Sequence, residues 1–94
     1  GFSEGKARVR MGKNWGYIDQ IGRLEIPFRF DEACNFCNGM ARVKMGKNWS
    51  YIDQGGEVAI APQFDWAEDF AGGMARVEMD GKQHYIDKAG NLID

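Results

Sequence analysis

Apolar and polar residues alternate along three short stretches of the chain, residues 7–11, 41–45 and 75–79. In the first stretch Ala7, Val9 and Met11 are separated by arginines. Alternation with a period of two residues predicts a strand that is half buried. A tight turn containing glycine follows each stretch. Beyond the turn comes the second strand of a predicted hairpin, at residues 15–19, 49–53 and 83–87.

A third, shorter strand is predicted after each complete hairpin. In the first copy it carries Leu24 and Ile26, and in the second it covers residues 58–60. A turn of the form Asp-x-x-Gly precedes it, and glycine accepts the positive φ that such a turn needs. Pro27 and Pro62 stand where this strand should end, because proline cannot donate to a strand ladder.

An aromatic segment closes each of the first two copies. Its apolar residues are spaced three apart, as Phe30, Ala33 and Phe36 show. The same spacing returns as Phe64, Ala67 and Phe70. This spacing predicts a helical turn or a compact loop whose aromatic rings point inward. The third copy stops at Asp94, before the corresponding residues.

All of these features recur with a period of 34 residues and no gap. The chain is therefore predicted to be one all-β domain, residues 1–94, built from three tandem units of about three short antiparallel strands. The units are residues 2–35, 36–69 and the shorter 70–94. A unit of this length cannot bury its own apolar face, so neighbours must pack together. We expect an open, solenoid-like stack, and a partial β-propeller is the alternative.

Composition excludes several classes of protein. The chain has 94 residues, is 44% hydrophobic and carries a net charge of −2, which fits a folded domain rather than a disordered one. Its basic residues are not clustered, so no nucleic-acid partner is expected. The apolar runs are too short to span a membrane. No phosphate loop, nucleophile motif or metal motif is found, so neither a metal nor a cofactor is expected.

The residues around the first hairpin turn resemble the WG repeat family. They read GKNWGYID at residues 12–19 and GKNWSYID at residues 46–53. The flanking segments EGKARV, NGMARV and GGMARV fit the same pattern. Ser50 replaces the glycine of the Trp-Gly pair, and the third copy has Gln83 and His84 instead. The resemblance implies an all-β repeat module of bacterial proteins without catalytic activity.

Cross-strand pairs of basic and aromatic residues form the main candidate site. A two-residue hairpin turn would place Arg10 opposite Trp15 and Arg8 opposite Tyr17. In the third copy Glu78 and Gln83 replace the first of these pairs, so the basic and the aromatic residue are lost together, whereas Arg76 and Tyr85 keep the second pair. Such pairs are either a structural ladder or a binding face for a protein or a sugar ring. The candidate binding residues are Trp15, Tyr17, Trp49, Tyr51, Arg10, Lys44 and Trp66.

Other reactive residues give weaker indications. Cys34 and Cys37 form a C-x-x-C pair, which suits a redox site or half of a zinc site, but no second such pair exists. One cysteine pair does not indicate a compartment. His84 lacks a nucleophile or clustered carboxylates in its sequence context. The recurring Asp19, Asp53 and Asp87, like Asp31 and Asp65, are predicted to cap turns or to pair with Arg8, Arg42 and Arg76.

These observations predict a non-enzymatic module for protein–protein interaction. The alternatives are a carbohydrate or cell-wall binding module that uses the Trp and Tyr residues, and a purely structural spacer. A redox or metal role for Cys34 and Cys37 is a weaker alternative. The sequence does not specify the partner or the oligomeric state.

Overall fold

The computed structural model describes residues 2–93, which contain ten β-strands and no helix. The alternating stretches and the stretches that follow them form the strands, as the period of two predicts. The strands are β1 (Ala7–Met11), β2 (Asn14–Ile18), β3 (Leu24–Phe30), β4 (Glu32–Ala33), β5 (Ala41–Met45), β6 (Asn48–Ile52), β7 (Val58–Phe64), β8 (Trp66–Ala67), β9 (Met74–Met79) and β10 (Lys82–Asp87).

The strands form three small antiparallel sheets, so the all-β prediction with three units is confirmed. The strand orders are β1-β2-β3, β4-β5-β6-β7 and β10-β9-β8. Each hairpin has a two-residue turn, and the predicted register is found in every copy. Arg10 lies opposite Trp15, Arg8 lies opposite Tyr17, and the equivalent residues pair in the other two hairpins.

The third strand differs from its prediction, because it is the longest strand of its sheet rather than the shortest. β3 and β7 have seven residues each and continue through Pro27 and Pro62. Both strands lie at the edge of a sheet, where a missing amide hydrogen leaves no partner unpaired. Trp15 pairs with Phe30 and Tyr17 pairs with Ile26, and the register shifts between these two pairs. Pro27 lies within this irregular stretch and therefore outside the regular ladder.

The closing segments, residues 30–36 and 64–70, are extended and contain no helical turn. The central part of each is a two-residue strand, β4 or β8, that pairs with the first strand of the next repeat. The prediction that the aromatic residues point inward is confirmed, since Phe30, Ala33 and Phe36 are at most 2% exposed. A chain that crosses from one sheet to the next can turn successive apolar residues inward without a helix.

The hydrophobic core lies at the two junctions between repeats. The first junction has eight fully buried residues, and each has its counterpart 34 residues later in the second junction. The first set is Tyr17, Ile26, Phe30, Ala33, Phe36, Ala41, Val43 and Ile52. One repeat supplies the tyrosine, an isoleucine and the closing segment, and the hairpin of the next repeat supplies an alanine, a valine and a second isoleucine. Each unit therefore depends on its neighbour for burial.

Turns from neighbouring repeats also connect to one another. Glu4 accepts a hydrogen bond from the amide of Gly39, and Asn38 accepts one from the amide of Gly73. Glu4 and Asn38 have positive φ values of 54° and 55°, so their side chains extend from tight two-residue turns towards the next copy. This ladder joins the repeats outside the core.

The repeats form an elongated row. The principal extents are 40 × 26 × 19 Å. Phe2 near one end is 50% exposed, and Tyr85 near the other is 40% exposed, although their counterparts inside the row are buried. The row agrees with the predicted open stack.

Gly56 and Gly22 provide a matched test of the junction. Both have positive φ, 84° and 89°, but a Cβ atom at Gly56 would lie 3.1 Å from Ile26, whereas one at Gly22 would meet nothing within 4 Å. We expect Gly22→Ala to lower the free energy of unfolding by about 1–2 kcal/mol through backbone strain. Gly56→Ala should lower it by about 1 kcal/mol more because Ile26 must move. Urea denaturation measures both, and equal losses would contradict a tight junction.

Candidate interaction surface

Trp15 lies beneath two arginine side chains on the first hairpin. The guanidinium carbons of Arg8 and Arg10 are 5.3 and 5.7 Å from the centroid of its ring. β1 places both arginines on the face where β2 presents the tryptophan. Each contact of this kind is worth about 0.5–1 kcal/mol at an exposed site. Arg8 lies opposite Tyr17 in the register, yet its side chain crosses diagonally to Trp15. The pairing of directly facing residues does not predict this contact.

The second hairpin repeats this arrangement with an additional tryptophan. Arg42 lies over both Trp49 and Trp66, with its guanidinium carbon 5.7 and 5.2 Å from the two rings. The two rings pack edge to face at 5.3 Å. Lys44 is opposite Trp49 in the register, but its ammonium group pairs with Glu32 at 3.7 Å.

Tyr17 and Tyr51, which the sequence places on the binding face, are fully buried. Their rings contact Phe36 and Phe70 edge to face at 4.9 and 4.7 Å. Their hydroxyl groups donate to backbone carbonyls of the closing segments at 2.5 and 2.6 Å. Burial raises the pKa of both phenols well above the usual range. These tyrosines therefore hold the junctions together and offer no surface to a partner.

Trp49 is also buried, at 4% exposure, while Trp66 is 39% exposed and Trp15 is half-buried. The surface that a partner can contact is therefore narrower than the predicted face. It comprises what we call the aromatic stripe: Arg8, Arg10, Trp15, Arg42, Lys44 and Trp66. Arg8 and Arg42 belong to it because they cover the rings, and only the three-dimensional contacts reveal this.

Arg8 and Arg42 are held in place from below. Each donates from Nη1 to a backbone carbonyl of the closing segment, Ala33 or Ala67, at 3.0 Å. Arg42 also pairs through Nε with the carboxylate of Asp69 at 2.9 Å. A guanidinium that is fixed by a carbonyl and stacked on an indole has lost much of its freedom before any partner binds.

The recurring aspartates cap turns, which is one of the two roles that the sequence predicts for them. Asp19 accepts hydrogen bonds from the amides of Ile21 and Arg23, and Asp87 accepts them from Ala89 and Asn91. These amide donors hold the pKa of both carboxyl groups below the usual range. Among the described residues, the predicted ion pairs of these aspartates with Arg8, Arg42 and Arg76 are not found. Arg8 and Arg42 donate to carbonyls of the closing segments, and Arg76 donates to the side chain of Gln83.

Asp31 and Asp65 cap the hairpin turn of the following repeat. Asp31 accepts from the amide of Gly46 at 2.7 Å, and Asp65 accepts from the amide of Asp80 at 3.0 Å. Each closing segment thus binds its neighbour through its strand, its aromatic rings and its aspartate. This explains why these carboxylates recur together with the phenylalanines.

The cysteines are thiols with no disulfide between them. Burial raises the pKa of Cys34 and, with the nearby Asp69, that of Cys37. A redox-active cysteine needs the opposite shift. His84 lies opposite Val77 and is half-buried. Among residues 2–93, no group of three or more His, Cys, Asp or Glu side chains is arranged to hold a metal ion. No described helix is long and apolar enough to cross a membrane.

Two open depressions lie at the two ends of the row. One, of about 350 Å³, is lined by Glu4, Lys6 and the turn at residues 19–23. The other, of about 340 Å³, is lined by Glu68, Arg76 and Tyr85 among others. Inside the row the positions equivalent to Arg76 and Tyr85 are covered by a closing segment.

The family model described as WG containing repeat matches the chain three times, over residues 1–15, 15–49 and 49–82. The matches meet at Trp15 and Trp49, one repeat apart. No curated protein and no solved structure matches the chain.

Tyr51→Phe tests the hydrogen bond that spans the junction. Loss of the hydroxyl leaves the carbonyl of Glu68 without this donor, so the free energy of unfolding should fall by about 1 kcal/mol. Tyr85→Phe is the matched control, because Tyr85 is 40% exposed, and it should change the free energy by less than about 0.5 kcal/mol. Urea denaturation followed by tryptophan fluorescence separates the two, and equal effects would show that the junction bond is not special.

Asp87→Asn tests the capped turns by their pH dependence. The pKa of Asp87 is lowered on folding, so its contribution is present above the unfolded pKa of about 3.9 and lost as the pH falls through the folded pKa. Asparagine keeps an acceptor oxygen for the turn but does not titrate. We expect the variant to lose less stability than the parent between about pH 5 and pH 2. Urea denaturation across this range measures it, and identical pH profiles would contradict the assignment.

Proposed function

Because this chain belongs to the WG containing repeat family, we propose that it is a non-enzymatic module that binds a protein through the aromatic stripe. The observation that carries the proposal is the exposed Trp66 with Arg42 stacked on it. Tryptophan and arginine are enriched among the residues that dominate binding energy at protein interfaces. An indole that is 39% exposed in the folded chain has apolar surface left to bury against a partner.

The rigidity of the stripe supports the same function. Trp66 lies on the short strand β8, packs against the buried Trp49 and is covered by Arg42, which a backbone carbonyl fixes. Binding through groups that are already ordered loses little side-chain entropy. The first hairpin presents a second such site at Trp15, so one partner can contact two repeats along the row.

The environment of the titratable groups supports a role without catalysis. The shifted carboxyl groups of Asp19 and Asp87 are engaged with turn amides, and that of Glu68 pairs with Arg76. The phenols of Tyr17 and Tyr51 are buried against phenylalanine. Each shift has a structural cause, whereas an active site combines such shifts with a cleft and a reacting geometry.

Carbohydrate binding has less support from the geometry. A sugar ring stacks on an open aromatic face, and arginines already cover Trp15 and Trp66. Tyr17 and Tyr51 are buried and cannot contribute. The spacer alternative predicts that no partner depends on the stripe, and the following experiment distinguishes it.

A pair of matched variants tests the function. The wild-type chain is immobilised and exposed to a lysate of its source organism, and the captured protein is purified and titrated against each variant. Trp66→Ala combined with Arg10→Ala should weaken binding by about 2 kcal/mol, roughly thirtyfold in Kd, because it removes the exposed indole and a stripe cation. Ile21→Ala removes an apolar side chain that is 74% exposed on a turn, and it should leave Kd unchanged.

Three results would count against the proposal. Equal binding by both variants would place the partner elsewhere on the chain. Retention by an envelope polysaccharide, with loss in the Trp66 variant, would favour the carbohydrate alternative. Capture of no partner by the wild-type chain would favour the spacer. Circular dichroism of each variant confirms that the fold is intact.

A further inference from the structure

The two arginines that cover indole rings in the aromatic stripe differ in one contact. Arg42 donates from Nη1 to the carbonyl of Ala67 at 3.0 Å and from Nε to the carboxylate of Asp69 at 2.9 Å. Its guanidinium carbon also lies 5.2 Å from the centroid of the Trp66 ring. One guanidinium therefore holds a backbone carbonyl, an indole and a carboxylate at the same time.

Arg8, which lies 34 residues earlier, has only the first two of these contacts. It donates from Nη1 to the carbonyl of Ala33 at 3.0 Å, and its guanidinium carbon lies 5.3 Å from the Trp15 ring. The residue equivalent to Asp69 is Asn35, which carries no charge. Among the residues that the structure describes, no carboxylate lies within ion-pairing distance of Arg8.

This difference arises within a single repeat. Each arginine contacts its own hairpin and the closing segment of the same repeat, and both closing segments are present in full and packed in a junction. Asn35 is exposed beside the buried Phe36, so its side chain changes the charge at this position without altering the core. Arg8 therefore lacks a carboxylate because of the residue at position 35.

We propose that Arg8 binds a carboxylate of the protein partner, an Asp or Glu side chain in an acidic peptide segment, as Arg42 binds Asp69. The inference rests on the proposed function, since it names the chemistry that one part of the aromatic stripe recognises. Two observations identify the occupant. They are the uncompensated charge of Arg8 and the equivalent ion pair that this chain builds in its second repeat.

The guanidinium of Arg8 is well suited to a carboxylate. A guanidinium carries five N–H donors in one plane, a geometry that matches the two oxygens of a carboxylate, and Arg8 uses only Nη1 in a hydrogen bond to the described residues. Arg10 lies over the same Trp15 ring at 5.7 Å, so two like charges share one indole. An anion beside them lowers their repulsion. The carbonyl of Ala33 already orders Arg8, so binding costs less side-chain entropy.

Nucleic acid fits this surface less well than an acidic peptide. A nucleic-acid strand presents a row of phosphates and needs several neighbouring cations. The other cations of the stripe in the second repeat are compensated, because Lys44 pairs with Glu32 at 3.7 Å and Arg42 pairs with Asp69. The whole chain carries a net charge of −2.

Two single substitutions exchange the contact between the repeats. Asn35→Asp should place a carboxylate of the chain itself on Arg8, which excludes a carboxylate from outside. Asp69→Asn should release Nε of Arg42 and thereby open a second site. Asn48→Asp is the matched control, because it adds the same charge at an exposed residue of the second hairpin turn. Circular dichroism confirms that each variant is folded.

A hexaglutamate peptide with blocked ends is the probe, and hexaglutamine is its uncharged control. The full chain is titrated with each peptide at low salt and followed by NMR. We expect hexaglutamate to give saturable shifts of the Trp15 indole N–H and the Arg8 Nε–H, which weaken as sodium chloride is added. Asn35→Asp should raise Kd by about fivefold or more, and Asn48→Asp by less than about twofold. Asp69→Asn should add saturable shifts at Arg42.

Four results of this titration would overturn the inference. One is the absence of saturable binding at millimolar hexaglutamate, and another is equal binding of hexaglutamine. A third is a loss of affinity in Asn35→Asp that is no larger than the loss in Asn48→Asp. The fourth is tighter binding of inorganic phosphate than of hexaglutamate at Arg8, which would identify a phosphate group as the occupant.

The captured partner separates this inference from the function on which it rests. A partner that the combined Trp66→Ala and Arg10→Ala variant loses, but that Asn35→Asp binds like the wild type, would overturn the inference and leave the proposed function intact. Capture of no partner, together with the expected binding of hexaglutamate, would contradict the proposed function and leave the carboxylate preference of Arg8 established.

Discussion

The packing of each closing segment over the buried tyrosine of a hairpin is the interaction on which the rest of the structure depends. The tyrosine hydroxyl donates to the backbone of the segment, and the phenylalanines of the segment complete the core. The segment also adds a strand and an aspartate cap to the next hairpin. The same segment therefore completes the core of one repeat and pairs with the hairpin of the next. For this reason burial, strand pairing and turn capping recur with the same period.

The sequence predicted the hairpins well because their signals are local. Alternation, two-residue turns and facing pairs of basic and aromatic residues depend on neighbours a few positions away. The burial of the aromatic residues, in contrast, depends on contacts with residues that are distant in sequence. Trp15 and Tyr17 are two residues apart on one face of β2, yet only Tyr17 is fully buried, because the closing segment covers that end of the strand. The length of β3 was missed for the same reason, since proline is tolerated only because tertiary structure places that strand at an edge.

The second position of the Trp-Gly pair is occupied by a different residue in each repeat, Gly16, Ser50 or His84. A Cβ atom on Gly16 would lie 2.5 Å from the carbonyl oxygen of Ile26, so the third strand approaches closely there. In the second copy Ser50 occupies this position, fully buried, with its hydroxyl near the sulfur of Met45. In the third copy His84 lies on β10, the edge strand of its sheet among the described residues.

The position of a repeat in the row also affects its stability. The middle repeat contributes to both junctions, and its Val43 and Ile52 are fully buried, whereas Val9 and Ile18 of the first repeat are only half-buried. The third hairpin has one junction, through Ala75, Val77 and Ile86. In a nearest-neighbour system, a repeat that packs against two neighbours resists local opening more strongly than one that packs against a single neighbour.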